Sequence, residues 1–517
     1  MIALRRRAIG GGSARWEPRQ AMVPVAAALA AAGLGVAVVE PSLVRVVLLV
    51  SLLVTASGLA LWSPTALLYS LSGWLVVLGL VRRLVDTTAN ATSGGLGDPL
   101  LLVEPGAMVL LTAVALQKGA FQGRTRLANA VLLLNVLALV EVANPLQGSP
   151  LVGAAGLLFL LVPMLAFWVG RSLVNDRVLR NLLVLIAVLA VPAVVYGLFQ
   201  QLAGMPSWDQ AWITAYGYTA LTVGGTVRSF GPFTSAAEYA TFIAIALVTC
   251  AAGLARPRFA LLCLITGGLL GFGLFYESSR GIVVLAVLAL AVMWAARSNL
   301  RPGLALLAGV AGVALLFLVA HSAASAPVPA QASAGSALAQ HQIQGLANPL
   351  NTQDSTLLPH VGEMLRGLRD TITEPFGQGS GSISLAAASF GGRSQGTELD
   401  PSNFGVALGL PGLLAYLVVV AVGMTAAYRL AATRRQWWTA AALGLLVVTF
   451  FQWSNGGQYA VAWLPWLVLG WVDRSHMNLR DQPADLLSTQ PRAIQSRPSH
   501  DDKPPGGSSD GGRHGER

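Results

Sequence analysis

The residues that could do chemistry in this chain are few and fall in four places. Arg228 stands just ahead of an apolar run that begins near residue 236. Glu277 and Arg280 occupy the short gap between two further runs. His360, Glu363, Arg366, Arg369 and Asp370 follow at helical spacing inside a long polar stretch, and Glu398, Asp400 and Asn403 come immediately before the run that starts at 404. Guanidinium is permanently charged and makes two parallel hydrogen bonds to phosphate oxygens, so these arginines suit an anionic phosphate ligand; the carboxylates and the histidine suit proton transfer. Each also has a plainer use. An arginine at a helix end anchors by snorkelling to headgroups, Glu277 can serve as the salt-bridge partner of Arg280, and a histidine on an amphipathic helix can simply face water. Glu104 and Glu141, within or at the end of apolar runs, are either relay residues or satisfied helix-end carboxylates. The stretch 377–384, GQGSGSIS, has the glycines of a phosphate-cradling loop but lacks the Lys-Ser/Thr that completes one. No His/Cys or carboxylate cluster has metal-ligand spacing, no GxSxG is present, and no cofactor is called for.

The elements that must position these residues are membrane helices. Of the 517 residues 54% are hydrophobic and only 11% charged, against about a quarter charged in soluble domains, and the mean hydropathy is +0.63. That excludes a cytosolic enzyme, a nucleic-acid-binding domain and a secreted disulfide scaffold. The net charge of +10 comes from arginines scattered singly between apolar runs rather than clustered with aromatics, which is a topology signal and not a nucleic-acid footprint. Cys250 and Cys263 both lie inside apolar runs and read as packing residues.

Spanning the hydrocarbon core takes about 20 apolar residues of helix, which divides the chain into about fourteen transmembrane segments. They organise it as a cytoplasmic N-terminal segment (1–19), helices 1–11 (20–320), a large loop (321–403), helices 12–14 (404–472) and a disordered cytoplasmic tail (473–517) rich in Pro, Gly, Ser and charge. The first span, 20–39, reads as an uncleaved helix rather than a signal peptide, and the last two are expected at 437–453 and 457–472. Arginine-bearing short connections place both termini inside, with Arg82 and Arg83 as the violation. The polar connection 201–235, with Trp208, Trp212, Tyr216 and Tyr218, suits an interfacial segment. In the large loop, HSAASAPVPAQASAGSALAQHQ (321–342) reads as flexible linker and HVGEMLRGLRDTITEPFGQG (360–379) begins as an amphipathic helix. On this topology all four groups gather on the outer face, where one pocket could contain them.

Four motifs, in order, carry a family resemblance. Arg228-Ser-Phe-Gly-Pro-Phe-Thr-Ser-Ala-Ala-Glu238-Tyr-Ala, Ser278-Ser279-Arg280-Gly281, Thr373-Glu374-Pro375-Phe376-Gly377-Gln378-Gly379, and Asp400-Pro-Ser-Asn403-Phe followed by Leu408-Gly-Leu-Pro-Gly-Leu-Leu resemble signatures of the O-antigen ligase and O-antigen polymerase superfamily, over roughly residues 180–430. The resemblance implies a metal-independent membrane glycosyltransferase of the C-type fold in the bacterial inner membrane. Its active face would be periplasmic, and it would use an undecaprenyl diphosphate-linked oligosaccharide in surface polysaccharide biosynthesis. Its partners would be that donor, an acceptor glycan, membrane lipids and, in the same pathway, a flippase and a chain-length regulator. It implies that Arg228 and Arg280 hold the diphosphate, with Glu238, Glu277 and Asn403 in support. Family ligases carry a histidine in the re-entering segment where this chain has Glu398, Asp400, Ser402 and Asn403. The expectation is therefore a polymerase with Glu398 or Asp400 as base, His360 as acid/base, and Arg366 and Arg369 as further diphosphate ligands. The alternatives are a ligase using a lipid, protein or cell-wall acceptor, and, in another class, a polysaccharide or lipid transporter or flippase.

Overall fold

The computed structural model describes residues 43–89, 98–216, 222–223, 226–324, 334–353, 355, 357–384, 390–392, 394–397 and 399–480. The expected first helix at 20–39, Glu398, and the tail beyond 480 lie outside the described residues. The chain divides into two units, Met1–His476, which holds the helical bundle, and Met477–Arg517.

In chain order the helices are α1 (Val44–Trp62), α2 (Pro64–Ala89), α3 (Val103–Gln117), α4 (Arg126–Val140), α5 (Pro150–Leu173), α6 (Asp176–Leu202), the short α7 (Ser207–Tyr216), α8 (Ala236–Gly253), α9 (Pro257–Glu277), α10 (Arg280–Arg297), α11 (Pro302–Ala324), α12 (Ala334–Ala347), α13 (Leu357–Thr373), α14 (Asp400–Arg434), α15 (Trp437–Val448) and α16 (Trp463–Arg480). Two two-residue strands, Thr222–Val223 and Thr226–Val227, pair antiparallel between α7 and α8. Among the described residues 11 helices are long and apolar enough to cross a membrane, the architecture of a polytopic membrane protein. Two expected spans fall short of that length and composition. α15 has only 12 residues, and α16 begins at Trp463 rather than near 457 because turns occupy most of residues 449–462. α16 also runs past the expected boundary at 472, to Arg480.

Small residues allow the inner helices to approach closely, as they must where lipid supplies no hydrophobic drive to association. A Cβ on Gly170 of α5 would lie 2.0 Å from the Leu467 carbonyl of α16, and one on Gly470 of α16 would lie 2.0 Å from the Phe167 carbonyl of α5. α8 and α15 are buried along almost their whole length, whereas α9 and α11 turn Leu261, Leu262, Ile265, Leu306, Leu307 and Leu318 outward as a lipid-facing surface.

The arginines that violate the charge rule sit in a buried network at the loop-bearing end. Arg45, Arg82 and Arg83 meet Asp86, Asp98 and Asp209: Arg45 pairs with Asp86 and Asp98, Arg82 Nε lies 2.7 Å from Asp98, and Arg83 Nε lies 2.9 Å from Asp209. Arg83 is fully buried and also donates to the carbonyls of Phe233 (2.5 Å) and Gly231 (2.7 Å). Asp209, in the first turn of α7, accepts from Tyr196 (2.8 Å) and Gln200 (2.7 Å) of α6. The Gln200 carbonyl oxygen in turn accepts from the backbone N–H groups of Phe230 and Gly231. Trp212, expected at the interface, is instead buried with the Arg82 guanidinium 5.0 Å from its ring centroid.

α14 is 35 residues long, more than one crossing needs, and breaks at Gly409 (φ 70°, ψ −168°) just before Pro411. Only glycine adopts that conformation readily. The Pro375-Phe376-Gly377 turn fills the break: Leu410 N donates to the Pro375 carbonyl (2.9 Å), and Gln378 N and Gly379 N donate to the Val406 and Ala407 carbonyls that the kink leaves without helical partners. The third and fourth sequence motifs are thus two halves of one clasp.

Removing one member of a buried ion pair strands the other, at a cost of about 3–5 kcal/mol. Arg83→Met should lower unfolding stability in detergent by that order, and Arg83→Met combined with Asp209→Leu should recover much of the loss, as read by thermal denaturation of the two variants.

Candidate functional site

The corner between α9 and α10 is built by one residue in an unusual conformation. Ser278 is left-handed (φ 70°) and its N–H closes α9 on Phe275 (3.3 Å), so Ser279 caps α10 and Arg280 is its first residue. Glu277, fully buried at the end of α9, accepts from Ser279 N (3.0 Å) and the Ser279 hydroxyl (3.1 Å). Arg228 reaches this corner from the segment before α8. Its Nε donates to the Glu277 carbonyl (3.0 Å), and its Nη2 pairs with the Glu277 carboxylate and donates to the Ser279 hydroxyl. Glu277 is therefore the partner of Arg228, not of Arg280.

Arg280 instead meets the large loop. Its Nη2 contacts His341 Nε2 on α12, and its guanidinium lies where a Cβ on Gly345, one turn along, would come within 2.1 Å. The linker reading fails at 321–324 and 334–342, while residues 325–333 lie outside the described residues. α11 runs on to Ala324, and α12 packs on α6, α9, α10, α11 and the strand Thr226–Val227. Leu338, Gln342, Gly345 and Leu346 are its buried face, a 3–4 spacing masked in the sequence by the Ala/Ser/Pro-rich residues before it. His341 and Gln342 are functional candidates that the sequence reading missed.

The expected single pocket divides into two groups. α13 forms as the expected amphipathic helix but packs on α14, with Gly367 against Ser402 and Thr371 against Gly405. Arg366 pairs with Glu363 on its exposed face, and Arg369 is exposed. His360 is half-buried at the start of α13. None of these residues is brought to Arg228 or Arg280 by the contacts among the described residues.

Asp400 and Asn403 are occupied by the scaffold. The Asp400 carboxylate, fully buried, accepts from Tyr416 OH (2.9 Å), Trp453 N and Ser454 N, and so ties the turn after α15 to the start of α14. Asn403 accepts from Thr397 N (2.7 Å) and donates to the Thr397 carbonyl (2.7 Å), closing the loop just ahead of α14. Neither has the accessible lone pair that a base needs. Glu238 is likewise structural in geometry. Ser235 caps α8, its Oγ accepting from Glu238 N (3.2 Å), while the Glu238 carboxylate accepts from Thr234 N, Thr234 Oγ1 and Ala460 N.

The glycine loop GQGSGSIS spends its donors on the protein. Gln378 and Gly379 donate to α14, Ser380 N to the Glu141 carbonyl (3.3 Å) and Gly381 N to Gln147 Oε1 (2.9 Å), so it closes packing rather than cradling phosphate. Glu141 accepts from Asn144 (2.6 Å), a satisfied helix-end carboxylate. Glu104 is buried at the start of α3, and among the described residues neither of its carboxylate oxygens accepts a hydrogen bond of normal geometry. Beside it, burial and the Glu104 charge hold the Tyr459 hydroxyl well above the usual phenol range.

If Asp400 is a tether, Asp400→Asn, which keeps one acceptor oxygen, should be milder than Asp400→Ala, which strands buried backbone donors at about 1–3 kcal/mol each. Thermal unfolding should show that order, and turnover per folded molecule of Asp400→Asn should stay within severalfold of wild type. A profound loss of turnover in a fully stable Asp400→Asn protein would restore it as the base. No protein-family model matches the chain, and no curated protein matches it at a significant level.

Proposed function

We propose that the chain is a membrane glycosyltransferase that takes a glycan from a polyprenyl diphosphate carrier, with Arg228 and Arg280 as the diphosphate ligands. The observation that carries this reading is the corner itself. The guanidinium of Arg228, from the segment before α8, bonds the three-residue turn Glu277–Ser279, and Arg280, the residue after that turn, sets its own guanidinium against His341 of α12. Charge retained at a membrane boundary marks a functional site by default, and a guanidinium fork matches the oxygen geometry of a phosphate. The resemblance of four ordered motifs to the O-antigen ligase and polymerase superfamily supplies the donor, an undecaprenyl diphosphate-linked oligosaccharide, and polymerisation onto a second lipid-linked glycan as the reaction.

In this reading an acceptor hydroxyl attacks the anomeric carbon and the carbon–oxygen bond to the diphosphate breaks. Arg228 and Arg280 stabilise the charge that grows on the departing phosphate, as preorganised cations do where water is scarce. Glu277 and Ser279 fix the Arg228 fork before the ligand arrives.

Arg228→Ala and Arg280→Ala should each reduce conversion of lipid-linked repeat units to longer chains by roughly a hundredfold or more, the scale of a lost charge-stabilising donor, while inserting normally. Full activity in either variant would remove the diphosphate role. Arg280→Lys should not rescue, since an ammonium cannot reproduce the planar fork. A chelator should leave turnover unchanged in purified protein; loss that a divalent cation restores would overturn the metal-independent mechanism.

A further inference from the structure

Gln342 of α12 is fully buried, yet among the described residues neither its amide nitrogen nor its amide oxygen has a hydrogen-bond partner. Buried side-chain amides are almost always satisfied, and leaving one unsatisfied costs free energy. An apolar residue of the same length would serve the packing better at a purely structural position. The amide also stands in a telling place. It follows His341, which touches Arg280, and lies one turn before Gly345, whose missing side chain makes room for the Arg280 guanidinium. Residues three apart share a helix face, so Gln342 belongs to the face that α12 lays against the α9–α10 corner.

From this juxtaposition we propose that Gln342 is a sugar-recognition residue, its amide binding hydroxyl groups of the glycan next to the diphosphate held by Arg280. A carboxamide offers two donors and an acceptor, the complement of a pair of neighbouring hydroxyls, each of which both gives and takes a hydrogen bond. Sites built in this way reject ligands that lack the matching group, because their own polar atoms are then left unpaired. α12 is thereby the element that reads the sugar, while the corner reads the phosphates. The inference rests on the diphosphate reading and assigns a separate residue to the glycan.

Purified full-length protein in detergent tests it, with Gln342→Met as the variant and two probes, undecaprenyl diphosphate alone and the same lipid carrying the oligosaccharide. Gln342→Met should melt at or above the wild-type temperature. It should bind the bare diphosphate lipid as wild type does, and bind the glycan-bearing lipid about tenfold more weakly, the scale of one lost ligand hydrogen bond. A lower melting temperature would show that the amide has a structural partner and overturn the proposal. Unchanged affinity for the glycan-bearing lipid would overturn it as well. Wild-type protein that binds neither lipid would overturn the diphosphate reading itself, whereas wild-type protein that binds both lipids equally, with no gain from the glycan, would overturn only the role of Gln342.

Discussion

The contact on which the loop-bearing end depends is Arg83 with Asp209. A guanidinium with no exposed surface is tolerable only when its charge is paired and its donors are used, and Arg83 meets both conditions through Asp209 and the Gly231 and Phe233 carbonyls. In doing so it joins α2, α7 and the segment leading into α8. Gln200 grips the same segment from the other side through Phe230 N and Gly231 N. Arg228 is two residues upstream of that double grip, which fixes its approach to Glu277. The left-handed Gly231 (φ 53°) packs against the Tyr239 ring, and a Cβ on Gly79 would strike the Phe233 backbone. The segment is therefore held by shape as well as by charge.

This network also accounts for the arginines that break the charge rule. A loop arginine biases topology through its charge. Arg45, Arg82 and Arg83 are set against Asp86, Asp98 and Asp209, three of each sign, and contribute little net charge where they stand. The first-turn position of Asp209 in α7 places its carboxylate at the favourable end of that helix dipole.

Most of the spans were legible because a run of some twenty apolar residues has few other uses, and α13 was legible because its charged and apolar residues alternate with helical period. Three things were not. α15 reads as a full span in the sequence, yet Phe451 turns left-handed (φ 60°) and the chain folds into turns before α16; Asn455-Gly456-Gly457 marks only the later part of that break, and no proline or glycine stands at its start. α12 looks like linker because Ala, Ser and Gln make a helix without an obvious stripe, and its stability comes from the helices beneath it. Asp400 and Asn403 have the residue types of catalytic groups, and no sequence pattern shows that Trp453, Ser454 and Thr397 already occupy them. The arginine positions were legible for a physical reason: guanidinium at the end of an apolar helix stands out wherever charge is scarce. Their partners were not, since Glu277 is close in sequence to Arg280 and close in space to Arg228.

The two parts of the large loop are held by unlike means, and the difference bears on how the site could work. α13 and the turn after it are locked to α14 by main-chain bonds through the break at Gly409, where three loop or helix N–H groups are answered by carbonyls across the clasp. Such bonds do not depend on side-chain charge or on a ligand. α12 rests on the corner through side chains, with His341 against Arg280 and Gly345 beneath it. Gln342, buried on the same helix, makes no hydrogen bond among the described residues. The helix that covers the corner is thus the part of the loop whose polar contacts a ligand could replace one for one, while the clasp keeps the remainder of the loop in register. Under the proposed function, a floor fixed by main-chain bonds at α14 and a cover seated by side chains at α12 would let a bulky lipid-linked glycan enter without disturbing the corner.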